Sequence, residues 1–333
     1  MNNVENVIVK GLNCVKLESD KYFAIVAPEI GSSVLRLYDR ENEIDVFRYS
    51  EDVSAEQIKR EIYLWGLPSL YLPNRFDAGI LKTSDAVYHF PINEPDLNNF
   101  IHGFVQNRAF EVEQTGKGDG KAFVKVSFNY GEDDEMFECF PVKFKLSYIF
   151  TLSDDGLVQE FELTNLCDKM LPVSLCTHTC ISSPMGEKYA EDKGRIKIAI
   201  GKKCELNERC LPTERLLDLT DYDMQYQNGT MMPTLQNIDN DMYTVELNEL
   251  DGKAFNGIVM TDTVSGKRVC NEISSEFKFW NVWNCKGVCH FYCPEPMTAM
   301  INSANLSLPN EVTGYSEISN GQTYKCWQRF FTI

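Results

Sequence analysis

Hydrophobic and polar side chains alternate along much of this chain. In residues 142–150, Val142, Phe144, Leu146, Tyr148 and Phe150 fall on one side, while Lys143, Lys145 and Ser147 fall on the other. That period of two is the mark of a half-buried strand. Residues 123–128, 158–163 and 323–330 carry similar patterns, and residues 22–26 and 196–200 are short β-rich runs. Turn signals separate the runs: residues 116–120 (Gly-Lys-Gly-Asp-Gly), residues 153–156 (Ser-Asp-Asp-Gly) and Asn228-Gly229. Asn-Gly is a strong hairpin dipeptide when strands flank it. One helix is expected near residue 54, where Ser54 and Gln57 have capping-box spacing and Ile58, Ile62 and Trp65 follow at helical intervals. No internal repeat or low-complexity linker interrupts the chain. The pattern predicts an all-β fold, a large and mostly antiparallel β-sandwich formed by residues 1–333 as a single domain. A division near residue 150 is the alternative, although no change of composition marks it.

Composition narrows the function. The 333 residues are 43% hydrophobic and 24% charged, and carry a formal net charge of −17. Such an acidic surface repels phosphate backbones and anionic lipid, so neither nucleic acid nor membrane is an expected partner. It also argues against a phosphorylated substrate. No apolar run reaches the roughly 18 residues of a spanning helix, and the first residues lack a signal-peptide pattern. A cytoplasmic location is expected, with the twelve cysteines reduced and several acting as small core hydrophobes. Cys285, Cys289 and Cys293 recur every fourth residue beside His290, which invites a zinc site. However, residues 288–293 read as a strand, in which His290 would face away from Cys289 and Cys293, so no metal site is expected. Phosphate-loop, dinucleotide-fingerprint, nucleophile-elbow and zincin motifs are absent.

Four segments carry candidate chemistry. Arg75 lies in a stretch broken by Gly66, Pro68 and Pro73, and is either a surface side chain or a fork for ligand oxygens. His102 ends a long polar loop, and His178 ends a strand-like run, 172–178. Each is either a structural hydrogen-bonder or a proton carrier. Glu295 stands between Pro294 and Pro296, as a turn residue or a positioned base.

In this order the segments resemble the aldose 1-epimerase (galactose mutarotase) family. Leu72-Pro73-Asn74-Arg75-Phe76 is similar to the family's Asn-Arg motif. Residues 90–93 and 99–104 resemble its central motif, which ends in His102-Gly103. Residues 148–165, leading into His178, resemble its strand–acidic turn–strand stretch, and residues 292–296 resemble the segment that carries its glutamate. The likeness runs from about residue 7 to about residue 331. It implies a galactose mutarotase-like sandwich with Glu295 as general base, His178 as general acid and His102 as a partner at the ring oxygen. It further implies that Asn74, Arg75 and Asp241 bind substrate, with Asp239 competing for the aspartate's place, and that no metal or cofactor takes part.

Two departures stand out. Thr179-Cys180-Ile181 follows the histidine where the family commonly has aromatics, and Ser319-Asn320-Gly321-Gln322 replaces a common Pro-Gly-Glu. The implied partner is a sugar, handled by a monomer or homodimer. Trp280 or Trp283 could supply an aromatic floor. A hexose-6-phosphate 1-epimerase and a non-catalytic carbohydrate-binding protein are the alternative readings.

Overall fold

The predicted alternation is realised in two large antiparallel sheets in the computed structural model, which describes residues 2–333. The first sheet has eight strands in the order Glu111–Gly118, Lys121–Tyr130, Phe144–Ser153, Gly156–Asn165, Thr323–Thr332, Arg268–Ile273, Gly257–Asp262 and Gly194–Ile198. The second runs Pro212–Leu217, Ile200–Leu206, Asp241–Val245, Phe279–Trp283, Phe291–Met297, Cys176–Thr177 and Ser69–Leu70, with Ile181–Ser182 also paired to Phe291–Met297. A five-stranded antiparallel sheet is formed by residues 3–45.

The inward residues of both large sheets meet in one buried cluster. Val124, Val126, Leu146, Tyr148, Phe150, Phe161 and Phe330 come from the first sheet, and Tyr243, Trp280, Val282 and Tyr292 from the second. Burying such side chains contributes about 1.5–3 kcal/mol each. A small polar bridge crosses this interior. Gln159 Nε2 donates to Ser69 Oγ at 2.9 Å, and Gln328 Nε2 donates to Gln159 Oε1 at 2.8 Å and to Thr177 Oγ1 at 3.2 Å. All four side chains are buried, so each depends on the others for its hydrogen bonds. The bridge fixes the second sheet's edge, next to His178, onto the first sheet.

Several local expectations are corrected. Residue 150 lies inside the strand Phe144–Ser153, where Phe150 pairs with Val124 on one side and Gln159 on the other, so no boundary falls there. Residues 196–200 are not one strand. The chain leaves the first sheet after Ile198 and enters the second at Ile200, crossing at Ala199. The expected helix is short, Ala55–Arg60. Ser54 Oγ accepts from the Gln57 N–H at 3.2 Å, but the Gln57 side chain turns to Glu61 instead of back to Ser54. Ile58, Ile62 and Trp65 are buried together nonetheless. Asn228-Gly229 makes no hairpin. It ends the helix Met224–Asn228, with Gly229 at φ 67° in the left-handed conformation that closes helix C-termini. Among the described residues, no helix is long and apolar enough to cross a membrane.

Candidate active site

The site begins as a gap in the second sheet. Cys176 pairs with Met297, and Ile181 and Ser182 pair with Tyr292 and Phe291. Between these points the two segments separate. Continuing the common register across the gap puts His178 opposite Glu295, and Cys180 opposite Cys293. Glu295 is paired on its other side with Asn281. Asn281, Glu295 and His178 therefore form one row on one face of the sheet.

The prolines explain the gap. The Met297 carbonyl accepts from Lys278 N–H at 2.9 Å, on the side of Phe279–Trp283, while Thr298 N–H donates to Leu175 O at 3.0 Å on the opposite side. Backbone groups alternate along a strand, so Pro294 and Pro296 aim their nitrogens at the His178 segment and have no N–H to offer. That segment bonds elsewhere: His178 N–H donates to Pro68 O at 2.9 Å, and Cys180 N–H to Gly66 O at 3.1 Å. Glu295 is thus a mid-strand residue of Phe291–Met297 and not a turn residue.

Across the opening, His178 Nε2 lies 3.7 Å from Glu295 Oε1. Asn281 Nδ2 donates to the same oxygen at 3.0 Å. The other imidazole nitrogen, Nδ1, is 3.1 Å from Cys293 Sγ. Both partners are buried, with 3% exposure for His178 and 2% for Glu295. Burial raises the carboxyl pKa to about 8 against the opposing pull of Asn281 and Arg75, and lowers the imidazole pKa to about 3. Between these limits the pair holds a single proton, on Glu295. Removing water disfavours both charged forms at once.

A second ribbon brings His102 and Arg75 to the same place. Asn99–Ile101 pairs antiparallel with Arg75–Asp77, and His102 N–H donates to Asn74 O at 2.8 Å. His102 and Gly103 are both left-handed, at φ 66° and 63°. A Cβ on Gly103 would lie 2.3 Å from the Tyr71 carbonyl, so only glycine lets the turn seat here. The turn carries the His102 ring to 5.4 Å from the His178 ring, nearly perpendicular to it. Tyr63 packs on both histidines, at 4.5 Å and 5.4 Å. His102 Nδ1 is buried without a partner among the protein groups. Burial, then the nearby His178 and Arg75, hold this imidazole well below its ordinary pKa. Arg75 is gripped by Glu94 through Nε, at 2.9 and 3.1 Å, and Nη2, at 2.9 Å. Its Nη1 lies 3.4 Å from Asn74 Oδ1.

Not every expected residue joins this group. Asp241 pairs across the sheet with Val282, one step out of phase with Asn281 and Glu295, and so projects from the opposite face. There Lys203 Nζ holds it at 2.8 Å. Asp239 Oδ1 accepts from Asn240 Nδ2 at 3.0 Å. The Cys210 thiol, pushed up by burial, also feels the charges of Arg75, Asp239 and Glu94. Trp280 is fully buried in the core, whereas Trp283 is half-buried with its ring 5.6 Å from that of His178. Residues 288–290 are not strand. Cys285–Gly287 is a tight turn, His290 has φ 58°, and the strand starts at Phe291. Cys289 Sγ meets Cys285 Sγ at 2.7 Å instead, and His290 pairs with Glu191 at 3.0 Å.

Glu94, Asn281, Tyr63 and Cys293 were missed as site residues. Asn281 and Cys293 become visible only once the strand register is known. Glu94 and Tyr63 lie within segments marked by other residues and carry no sequence signal of their own.

A family model described as aldose 1-epimerase matches residues 13–330. The chromosomal LacX protein of Lactococcus lactis subsp. lactis is 24% identical over 231 residues, covering 68% of this chain and 72% of its own. A galactose mutarotase-like protein from Clostridium acetobutylicum has the same fold with a TM-score of 0.95 and 29% identity, covering 100% of this chain and 98% of its own. A galactose 1-epimerase from Lactobacillus acidophilus NCFM aligns with a TM-score of 0.75 at 13% identity, covering 100% of this chain and 98% of its own.

Proposed function

The chain belongs to the aldose 1-epimerase family, and on that premise we propose that it interconverts the α and β anomers of an aldose by acid–base opening and closure of the ring. The observation that carries this reading is the buried Glu295–His178 pair, 3.7 Å apart across the opening. Glu295 takes the proton of the C1 hydroxyl while His178 Nε2 protonates the ring oxygen, and the bond between C1 and that oxygen breaks. The free aldehyde rotates about its bond to C2. Closure on the other face returns both protons in reverse. Each positioned acid or base supplies about 10²–10⁴-fold.

The roles require the carboxylate–imidazolium form, whereas the unliganded pair favours the neutral form. Both have the same proton count, so a sugar hydroxyl that hydrogen-bonds to the carboxylate can move the proton between partners without exchange with water. His102, with its free Nδ1, serves the ring oxygen from the side. Arg75 and Asn74 bind hydroxyls, Asp239 takes the aspartate's role in place of Asp241, and Trp283 offers an apolar wall. Residues 1–333 act as one unit in this reading.

A phosphosugar is disfavoured. Arg75 is already matched by Glu94, and Arg209 Nη2 lies 2.6 Å from Asp77 Oδ1, so neither is free to grip a phosphate. Polarimetry on freshly dissolved α-glucose and α-galactose tests the proposal, with the 6-phosphates run in parallel. Accelerated relaxation of a free aldose is expected. Relaxation at the buffer rate across simple and modified aldoses rejects the catalytic reading, and a strong preference for a phosphosugar rejects the substrate assignment.

A further inference from the structure

The residues behind His178 form a second constellation that proton transfer does not use. A ring nitrogen of His178, Cys180 Sγ and Cys293 Sγ lie within 4.8 Å of one another, with Nδ1 the nitrogen 3.1 Å from Cys293 Sγ, and all three residues are buried. The open ladder explains their convergence: Cys180 stands opposite Cys293 in the continued register, and His178 is two residues from Cys180 on the same face. Zinc bonds to sulfur at about 2.3 Å and to nitrogen at about 2.0–2.1 Å, so a tetrahedral site has ligand–ligand edges of roughly 3.5 Å. The observed 3.1 Å between Cys293 Sγ and His178 Nδ1 is close to such an edge.

We propose that His178, Cys180 and Cys293 bind a thiophilic cation of the zinc type, and that its binding switches off proton transfer at the adjoining site. On binding, each thiol gives its proton to water as its sulfur–metal bond forms, and Nδ1 donates its lone pair. Two thiolates and a neutral imidazole cancel a divalent charge, which suits a buried position. The fourth position falls to water or to the Tyr63 carbonyl, whose oxygen is 3.2 Å from Cys180 Sγ. Nε2 stays directed at Glu295, but a ring metallated at Nδ1 can no longer carry the second proton that makes it an imidazolium acid. This inhibitory part rests on the epimerase reading, whereas the binding part does not. The Cys285–Cys289 pair is the competing ligand set and serves as the internal control.

The test is a Co²⁺ titration of the reduced, anaerobic protein, followed by its absorption spectrum. One bound equivalent with sulfur-to-cobalt charge-transfer bands, bleached by added Zn²⁺, is expected. The bands should be lost in Cys293→Ala and in Cys180→Ala and kept in the Cys285→Ser, Cys289→Ser double variant. Near-ultraviolet circular dichroism checks that each variant is folded. Absence of thiolate bands in the unaltered protein overturns the site, with no variant needed. So do bands that survive both single variants and vanish in the double. Polarimetry with stoichiometric Zn²⁺ reads the second part: loss of turnover restored by a chelator supports the switch, and full turnover of the metal-bound protein overturns it.

Discussion

Asn281 donates its side-chain N–H to Glu295 Oε1 at 3.0 Å from the position directly opposite it on the neighbouring strand. This bond favours the ionised carboxyl and works against the burial that drives its pKa up to about 8. The first prediction follows from that opposition. Above the carboxyl's pKa the pair has lost its one proton and cannot protonate the ring oxygen, so kcat/KM should decline on the alkaline side. Asn281→Ala removes the lowering influence and should move that limb to higher pH. A pH–rate profile with an unmoved limb would assign the limb to another group.

Glu295→Gln retains size and some hydrogen bonding but cannot accept the C1 proton. A fall in kcat of about 10²–10⁴-fold with KM largely kept is expected, with a loss of similar order for His178→Asn. The double variant should lose far less than the product of the two, because the residues act as a unit. Steady-state polarimetry on the three variants provides the comparison, and near-normal turnover in Glu295→Gln places the base elsewhere.

Stability carries an independent signature of the same carboxyl. Its folded pKa, about 8, stands above its ordinary 4.5. The folded state therefore binds the proton more tightly, and this stabilisation is present below 4.5 and lost as pH rises through about 8. Glu295→Gln has no such loss. Its melting temperature relative to the unaltered protein should climb across that window and level off above it. A pH-independent difference would mean that the carboxyl is not held neutral.

The two prolines give a backbone prediction. Replacing Pro294 and Pro296 by valine restores two N–H donors facing the 177–179 segment and lets the ladder close. Activity should fall by about 10²-fold, the order expected when reacting groups are displaced by an ångström, while the fold survives. Amide exchange at 294 and 296 is the direct readout. Protected amides with full activity would separate the gap from function.

The aspartates separate cleanly. Asp239→Asn should raise KM with little change in melting temperature. Asp241→Asn leaves Lys203 with one fewer partner on the far face and should lower stability with KM unchanged. The reverse pattern would return the binding role to Asp241.

How much of this was legible in the sequence depends on the kind of signal. Alternation in residues 142–150 and 323–330 reports which face is buried, and burial is what assembled the sheets. The motif residues His102, His178, Glu295 and Arg75 converge, because loops and strand ends with unusual chemistry stand out against an apolar core. Asp241 did not, because a slip of two residues in a short acidic run changes nothing locally, and only the sheet partner Val282 reveals which way it faces. Ala199 is a sheet-to-sheet crossing that resembles strand interior, since both flanks are equally apolar. Asn281 and Cys293 belong to the site only through strand register, which is a long-range property.

The alignment of Asn281, Glu295 and His178 in one row has a consequence for how such a chain can change. The Glu295–His178 pair inherits the parity of the sheet: inserting or deleting one residue between 176 and 178 would turn His178 toward the sandwich interior. Side-chain replacements around the row leave that count intact. Asn74 and His102 arrive on irregular, left-handed positions with no such phase to preserve. Change is therefore free to proceed through those segments, while the pairing of Glu295 with His178 stays fixed by a counting rule.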